Sequence, residues 1–280
     1  MPQISKNYVG VSGVASVEEA KEVVRLAKKA GFSVKSGHIL MIGLQASYNS
    51  LNYGLSAGNM RVPHLDMLSP ILSTAKGDAF TTIHYYTKWP ERLVDELAVL
   101  LRHNGIYEAG LLGGVQINGV WPTKHQILEI NNMFPHIKII LQMSKMVTGG
   151  LTDAQVAEKL AGEYENVDYI LLDSSYGRGI EFDQEGVASM YKTLRDGGVR
   201  SGIVIAGGLT GANVGEKARW LREALRSTDF SIDSESGLRD RLGEGYGNDV
   251  LNLEKVKRYL DESANVFLKR NEATRSSLGE

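Results

Sequence analysis

Eight short apolar runs, each followed by a stretch with helical periodicity, recur along this chain about every 30 residues. The runs are YVGVS (8–12), HILMIGLQ (38–45), FTTIHYY (80–86), GGVQING (113–119), IKIILQM (137–143), VDYILLD (167–173), GIVIAGG (202–208) and DFSID (229–233). Most lack the apolar–polar alternation of a strand wetted on one face. They suit parallel strands covered on both sides, which require crossover helices. The intervening segments carry helix punctuation: Ser16 with Glu19 at a start, Gly31 at an end, Pro90 in a first turn and Gly105 past a last one. Eight such units predict a (β/α)₈ TIM barrel, a single domain over residues 1–269 with a polar C-terminal tail at 270–280. A doubly wound open sheet is the competing arrangement. The surplus length falls mainly at 45–62, a polar-aromatic connection carrying Tyr48, Asn49, Asn52 and Tyr53. It is long enough to lid a pocket, to meet a second copy of the chain in a homo-oligomer, or to be a plain surface excursion.

Charge and composition exclude several partners. Lys and Arg number 31 against 33 Asp and Glu, a formal net charge of −2, so the basic excess of a nucleic-acid binder is missing. No run approaches the roughly 18 apolar residues of a membrane span, and MPQISKNYVG lacks the pattern of a signal peptide. A cytoplasmic location is the expectation. The chain has no cysteine, which removes disulfides, thiolate metal sites and a cysteine nucleophile. The histidines have no metal-ligand spacing, and no metal is expected.

In a barrel of this class the chemistry sits at the C-terminal ends of the strands. The sixth run stops on a carboxylate, Asp173, which is either a functional acid or a cap. The seventh ends in Gly207-Gly208 before a helix, and the eighth is followed by Ser234, Ser236 and Gly237. Glycine-bearing loops let backbone N–H groups approach an anion, and a helix N-terminus adds a favourable dipole. The loops after the last two strands are the usual phosphate site of the fold. A phosphorylated small molecule is therefore the expected ligand.

Taken in order, VSG, VQINGVWP, ILLDSS…GRGIEFD, AGGLTGANV and IDSESG resemble the phosphoribosylanthranilate isomerase family over most of the chain. The resemblance implies a barrel that needs no metal or organic cofactor and performs an Amadori rearrangement of an N-linked phosphoribosyl aldose to a ketose. By position it gives Asp173 the general-acid role and gives Gly207, Gly208, Ser236 and Gly237 the phosphate, with Asn213 at the start of the helix behind them. Gln116 and Asp233 would line the pocket, and Arg61 would supply the arginine expected after the second strand. Two positions depart from the pattern. Ser12 replaces the first-strand cysteine that serves the family as base, and Asn118 replaces a histidine. A serine hydroxyl needs a neighbouring base of its own, so weak turnover of the family's usual substrate is expected. His84, ending the third strand, is a candidate substitute base, as is Lys145 in an epimerase or lyase; the alternative for His84 is a core or surface histidine satisfied by a local carbonyl. Asp183 is expected to cap the sixth helix. Three readings follow: an isomerase with an altered substrate or base, another metal-free phosphosugar epimerase or lyase, and a phosphometabolite-binding protein without turnover. A carboxylate or imidazole within hydrogen-bond reach of Ser12 would favour catalysis; an isolated Ser12 would favour binding alone.

Overall fold

The computed structural model describes residues 7–53, 59–143, 148–173, 182–245 and 247–268. Strands β1 (Asn7–Ser12), β2 (His38–Ser47), β3 (Phe80–Tyr86), β4 (Gly114–Asn118), β5 (Lys138–Met143), β6 (Tyr169–Asp173), β7 (Gly202–Ala206) and β8 (Ser231–Ser234) form a closed barrel in sequence order. All neighbours are parallel, and β1 closes on β8 with Gly10 opposite Asp233. The open sheet is thereby excluded. The helices are α1 (Val17–Ala30), α2 (Tyr48–Tyr53), α3 (Leu65–Ala75), α4 (Leu93–Arg102), α5 (Lys124–Met133), α6 (Asp153–Glu163), α7 (Gln184–Asp196), α8 (Val214–Leu225) and α9 (Leu253–Phe267). Ser16 caps α1 by accepting from the Glu19 N–H, and Gly31 ends it at φ 101°. Asp183 caps α7 by accepting from the Gly186 N–H at 2.9 Å.

Period-two pleating sorts each strand into an outer and an inner set. Val9, Val11, Ile83, Val115, Ile117, Ile139, Leu141, Ile170, Ile203 and Ile205 join the layer between barrel and helices. Tyr8, Met41, Ile140, Tyr169, Leu171 and Val204 fill the barrel itself, with Phe80 packed against them. Large rings fit there because glycines face them. A Cβ on Gly114 would meet the Phe80 ring at 2.7 Å, and one on Gly202 the Tyr169 ring at 2.6 Å. This packed floor leaves the polar inward positions at the C-terminal end of the barrel.

Two elements lie outside the eight-unit pattern. Helix α2 occupies part of the 45–62 connection. A hairpin of β9 (Arg239–Arg241) and β10 (Asp249–Leu251) stands between β8 and α9. The two insertions meet: the Met60 N–H donates to the Gly247 carbonyl at 2.8 Å.

Candidate active site

The inward residues at the strand ends form a polar ring: Ser12 on β1, His84 on β3, Gln116 and Asn118 on β4, Gln142 on β5, Asp173 on β6 and Asp233 on β8. Barrel closure brings Ser12 to Asp233, 221 positions away, and the serine hydroxyl donates to Oδ1 at 2.7 Å. Both residues are buried. Asp233 lies over Gly10, where any Cβ would collide with the carboxylate. Burial pushes its carboxyl up to about 7; the Ser12 hydrogen bond pulls the other way, while the nearby Glu235 and Asp173 add to the rise. Ser12 is therefore not isolated.

His84 is fully enclosed, and burial lowers its pKa to about 4, so the ring is neutral near pH 7. Its Nε2 lies 3.1 Å from Thr82 Oγ1. A Cβ on Gly43 would meet His84 Nε2 at 2.6 Å and Ser12 Oγ at 2.9 Å, so the imidazole and the hydroxyl flank the same point on β2. Asp173 accepts from Gln142 Nε2 at 3.1 Å across adjacent strands. Gln116 donates from Nε2 to Asn118 Oδ1 at 3.0 Å, while its buried Oε1 has no hydrogen-bond donor among the described residues.

The two candidate anion loops are stitched together. Gly207 and Gly208 take the left-handed backbone, at φ 92° and 71°, which glycine adopts without strain. Gly237 packs so closely on the Leu209 carbonyl that no side chain fits there. The side chains of Ser234 and Asn213, two of the candidate phosphate residues, brace the loops. The buried Ser234 hydroxyl donates to the Leu209 carbonyl at 2.6 Å. Asn213 donates from Nδ2 to the Gly208 carbonyl at 2.9 Å and accepts from the Thr210 N–H at 2.8 Å. Arg61, expected to contact substrate, is buried and engaged with Asp249, Glu235 and the Ser236 hydroxyl. Lys145 lies outside the described residues. Among the described residues, no group of three or more His, Asp or Glu could hold a metal ion, and no helix is long and apolar enough to cross a membrane.

The model of the N-(5'phosphoribosyl)anthranilate (PRA) isomerase family matches residues 111–241, the stretch that carries β4 to β8 and both candidate anion loops. Over that stretch, just under half of the chain, the sequence is similar to the phosphoribosylanthranilate isomerase family. Among curated members, the N-(5'-phosphoribosyl)anthranilate isomerase of Thermococcus kodakarensis is 41% identical over 90 residues, 32% of this chain and 39% of that one. That of Methanoregula boonei is 34% identical over 73 residues, 26% of this chain and 35% of that one. The chain thus spans well under half the length of the curated phosphoribosylanthranilate isomerases it matches. In fold, it is similar to the crystal structure of TrpF from Jonesia denitrificans, with a TM-score of 0.58 at 15% identity, covering 94% of this chain and 100% of that one. The sequence matches to phosphoribosylanthranilate isomerases are partial, whereas the likeness of fold extends over nearly the whole barrel.

Proposed function

We propose that this protein is an aldose–ketose isomerase acting on an N-linked 5'-phosphoribosyl amine, with Asp233 as the base in place of the missing thiol. The observation that carries this reading is the buried Ser12–Asp233 hydrogen bond at the barrel mouth. It supplies the carboxylate whose presence beside Ser12 separates a catalytic site from a binding module. On this reading, a base on the neighbouring strand restores the turnover that loss of the thiol would otherwise remove. A carboxyl held near 7 matches the working range of a general base. His84, with its lowered basicity, suits a neutral hydrogen-bonding role better than proton abstraction.

The sugar phosphate would rest on the loops around Gly207, Gly208, Ser236 and Gly237, near the start of α8. In the first step Asp173 gives a proton to the ring oxygen. The C1–O bond breaks as the nitrogen lone pair forms an iminium. Asp233 then takes the C2 proton, and the released pair forms C1=C2 and neutralises the nitrogen. The resulting enolamine loses its C2 hydroxyl proton and gains one at C1, giving the ketose. Ser12 orients Asp233 by donating to Oδ1, and Gln116 Oε1 offers an acceptor to a sugar hydroxyl. These steps use side chains alone.

The test has two parts. Mass spectrometry of small molecules released from the denatured protein should find a phosphoribosyl compound. Incubation with N-(5'-phosphoribosyl)anthranilate in D2O should place solvent deuterium on C1 of the ketose. Recovered aldose with no ketose, despite phosphate binding, would favour the binding-protein reading.

A further inference from the structure

Arg61 joins segments that the barrel alone would leave apart. Its Nε lies 2.9 Å from Asp249 Oδ1, its Nη2 bonds Asp249 Oδ2, and its Nη1 bonds both Glu235 and the Ser236 hydroxyl, the latter at 3.1 Å. Asp249 also receives Arg239, which donates from Nη1 to the Gly13 carbonyl at 2.8 Å, one residue beyond Ser12. Arg61, Arg239 and Asp249 are only 5%, 4% and 3% exposed. The planar guanidinium fork can hold this geometry, which a lysine ammonium cannot reproduce. Losing Arg61 would remove the positive charge bonded to Glu235, two residues along the chain from Asp233.

We propose that Arg61 is a positioning residue: anchored on Asp249 of the β9–β10 hairpin, it fixes Glu235 and Ser236 of the β8 loop and so sets the charge that Asp233 experiences. The groups facing Asp233 are Ser12 and Tyr8 on β1, Asp173 on β6, Glu235 on its own loop and Tyr259 on α9, with His84 on β3 beside Ser12. Of the acidic groups among them, the structure ties Glu235 directly to Arg61. With two protein carboxylates already on its guanidinium, Arg61 is also poorly placed to recognise a carboxylate on the substrate's amine group. The catalytic consequence rests on the reading of Asp233 as base; the positioning itself does not.

The experiment is a carbon-13 NMR titration of Asp233 in protein carrying carboxyl-labelled aspartate, with the resonance assigned by Asp233→Asn. Arg61→Gln should raise the midpoint by about one pH unit, and Glu235→Gln should lower it. In the double variant, the rise caused by Arg61→Gln should shrink to less than half. An equal rise with and without Glu235, or no rise at all, would overturn the proposal. Should Arg61→Gln fail to fold, Glu235→Gln still decides, since an unmoved midpoint there refutes the coupling. Asp233 responding as expected in a protein that rearranges no phosphoribosyl amine would leave the positioning role standing and remove the isomerase reading.

Discussion

The character of the site comes from putting a carboxylate where burial opposes its charge. Asp233 has a folded pKa near 7 against about 3.9 for a free aspartate. The folded state therefore holds the proton more tightly. The resulting stability is present at low pH and is lost as pH rises from about 4 through 7. His84 behaves oppositely: its lowered pKa costs stability as pH falls from about 6.5 toward 4. Asp233→Asn should thus raise the melting temperature at pH 8 and leave it nearly unchanged at pH 4, as thermal denaturation at the two values can check. A variant no more stable at pH 8 would mean the ionised carboxylate is not penalised. Ser12→Ala removes a hydrogen bond that lowers the Asp233 pKa, so the acidic limb of its pH–rate profile should move to higher pH. An unmoved limb would separate Ser12 from the titrating group. At this scale the residue types were legible but not their pairing: Ser12 and Asp233 lie at strand ends that only barrel closure makes neighbours. Gln142 drew no notice as one polar residue in IKIILQM. Its period-two spacing from Ile140, which fills the barrel, was the available signal.

At the scale of elements, the loop after β7 is held in shape by a side chain from the start of its own helix. Asn213→Ala removes the bonds to the Gly208 carbonyl and the Thr210 N–H. Each is worth about 0.5–1.5 kcal/mol, so inorganic phosphate should bind about tenfold more weakly by calorimetry if the loop cradles the anion. Unchanged affinity would place the phosphate elsewhere. The eight strands were readable because apolar runs buried on both faces have few other uses. The insertions were not. The β9–β10 strands are three residues each, RDR and DVL, too short to show a period. Helix α2 is built from YNSLNY, which mixes apolar and turn-favouring residues, and Pro70 interrupts the helical signal of α3. The partners of Arg61 carry no signal in the sequence, because Glu235 and Asp249 lie 174 and 188 positions away, the second on an element with no sequence signature.

Over the whole molecule, the closed barrel sets the candidate anion loops of β7 and β8 beside the Ser12–Asp233 pair and around the ring from Gln116. A phosphate anchored on those loops would hold a ribose over Asp173 and Asp233 together. The architecture followed from the strand count and the family resemblance from motifs in order along the chain, whereas the pairing of Ser12 with Asp233 needed coordinates. The most direct measurement is the rearrangement rate of N-(5'-phosphoribosyl)anthranilate between pH 5 and 9, for the wild-type protein and for Asp233→Asn. The account predicts that kcat/KM rises with pH through about 7 as Asp233 ionises, and that Asp233→Asn loses about 10²–10⁴-fold while still binding phosphate. Ketose formation by Asp233→Asn at the wild-type rate, or a profile without that limb, would contradict it.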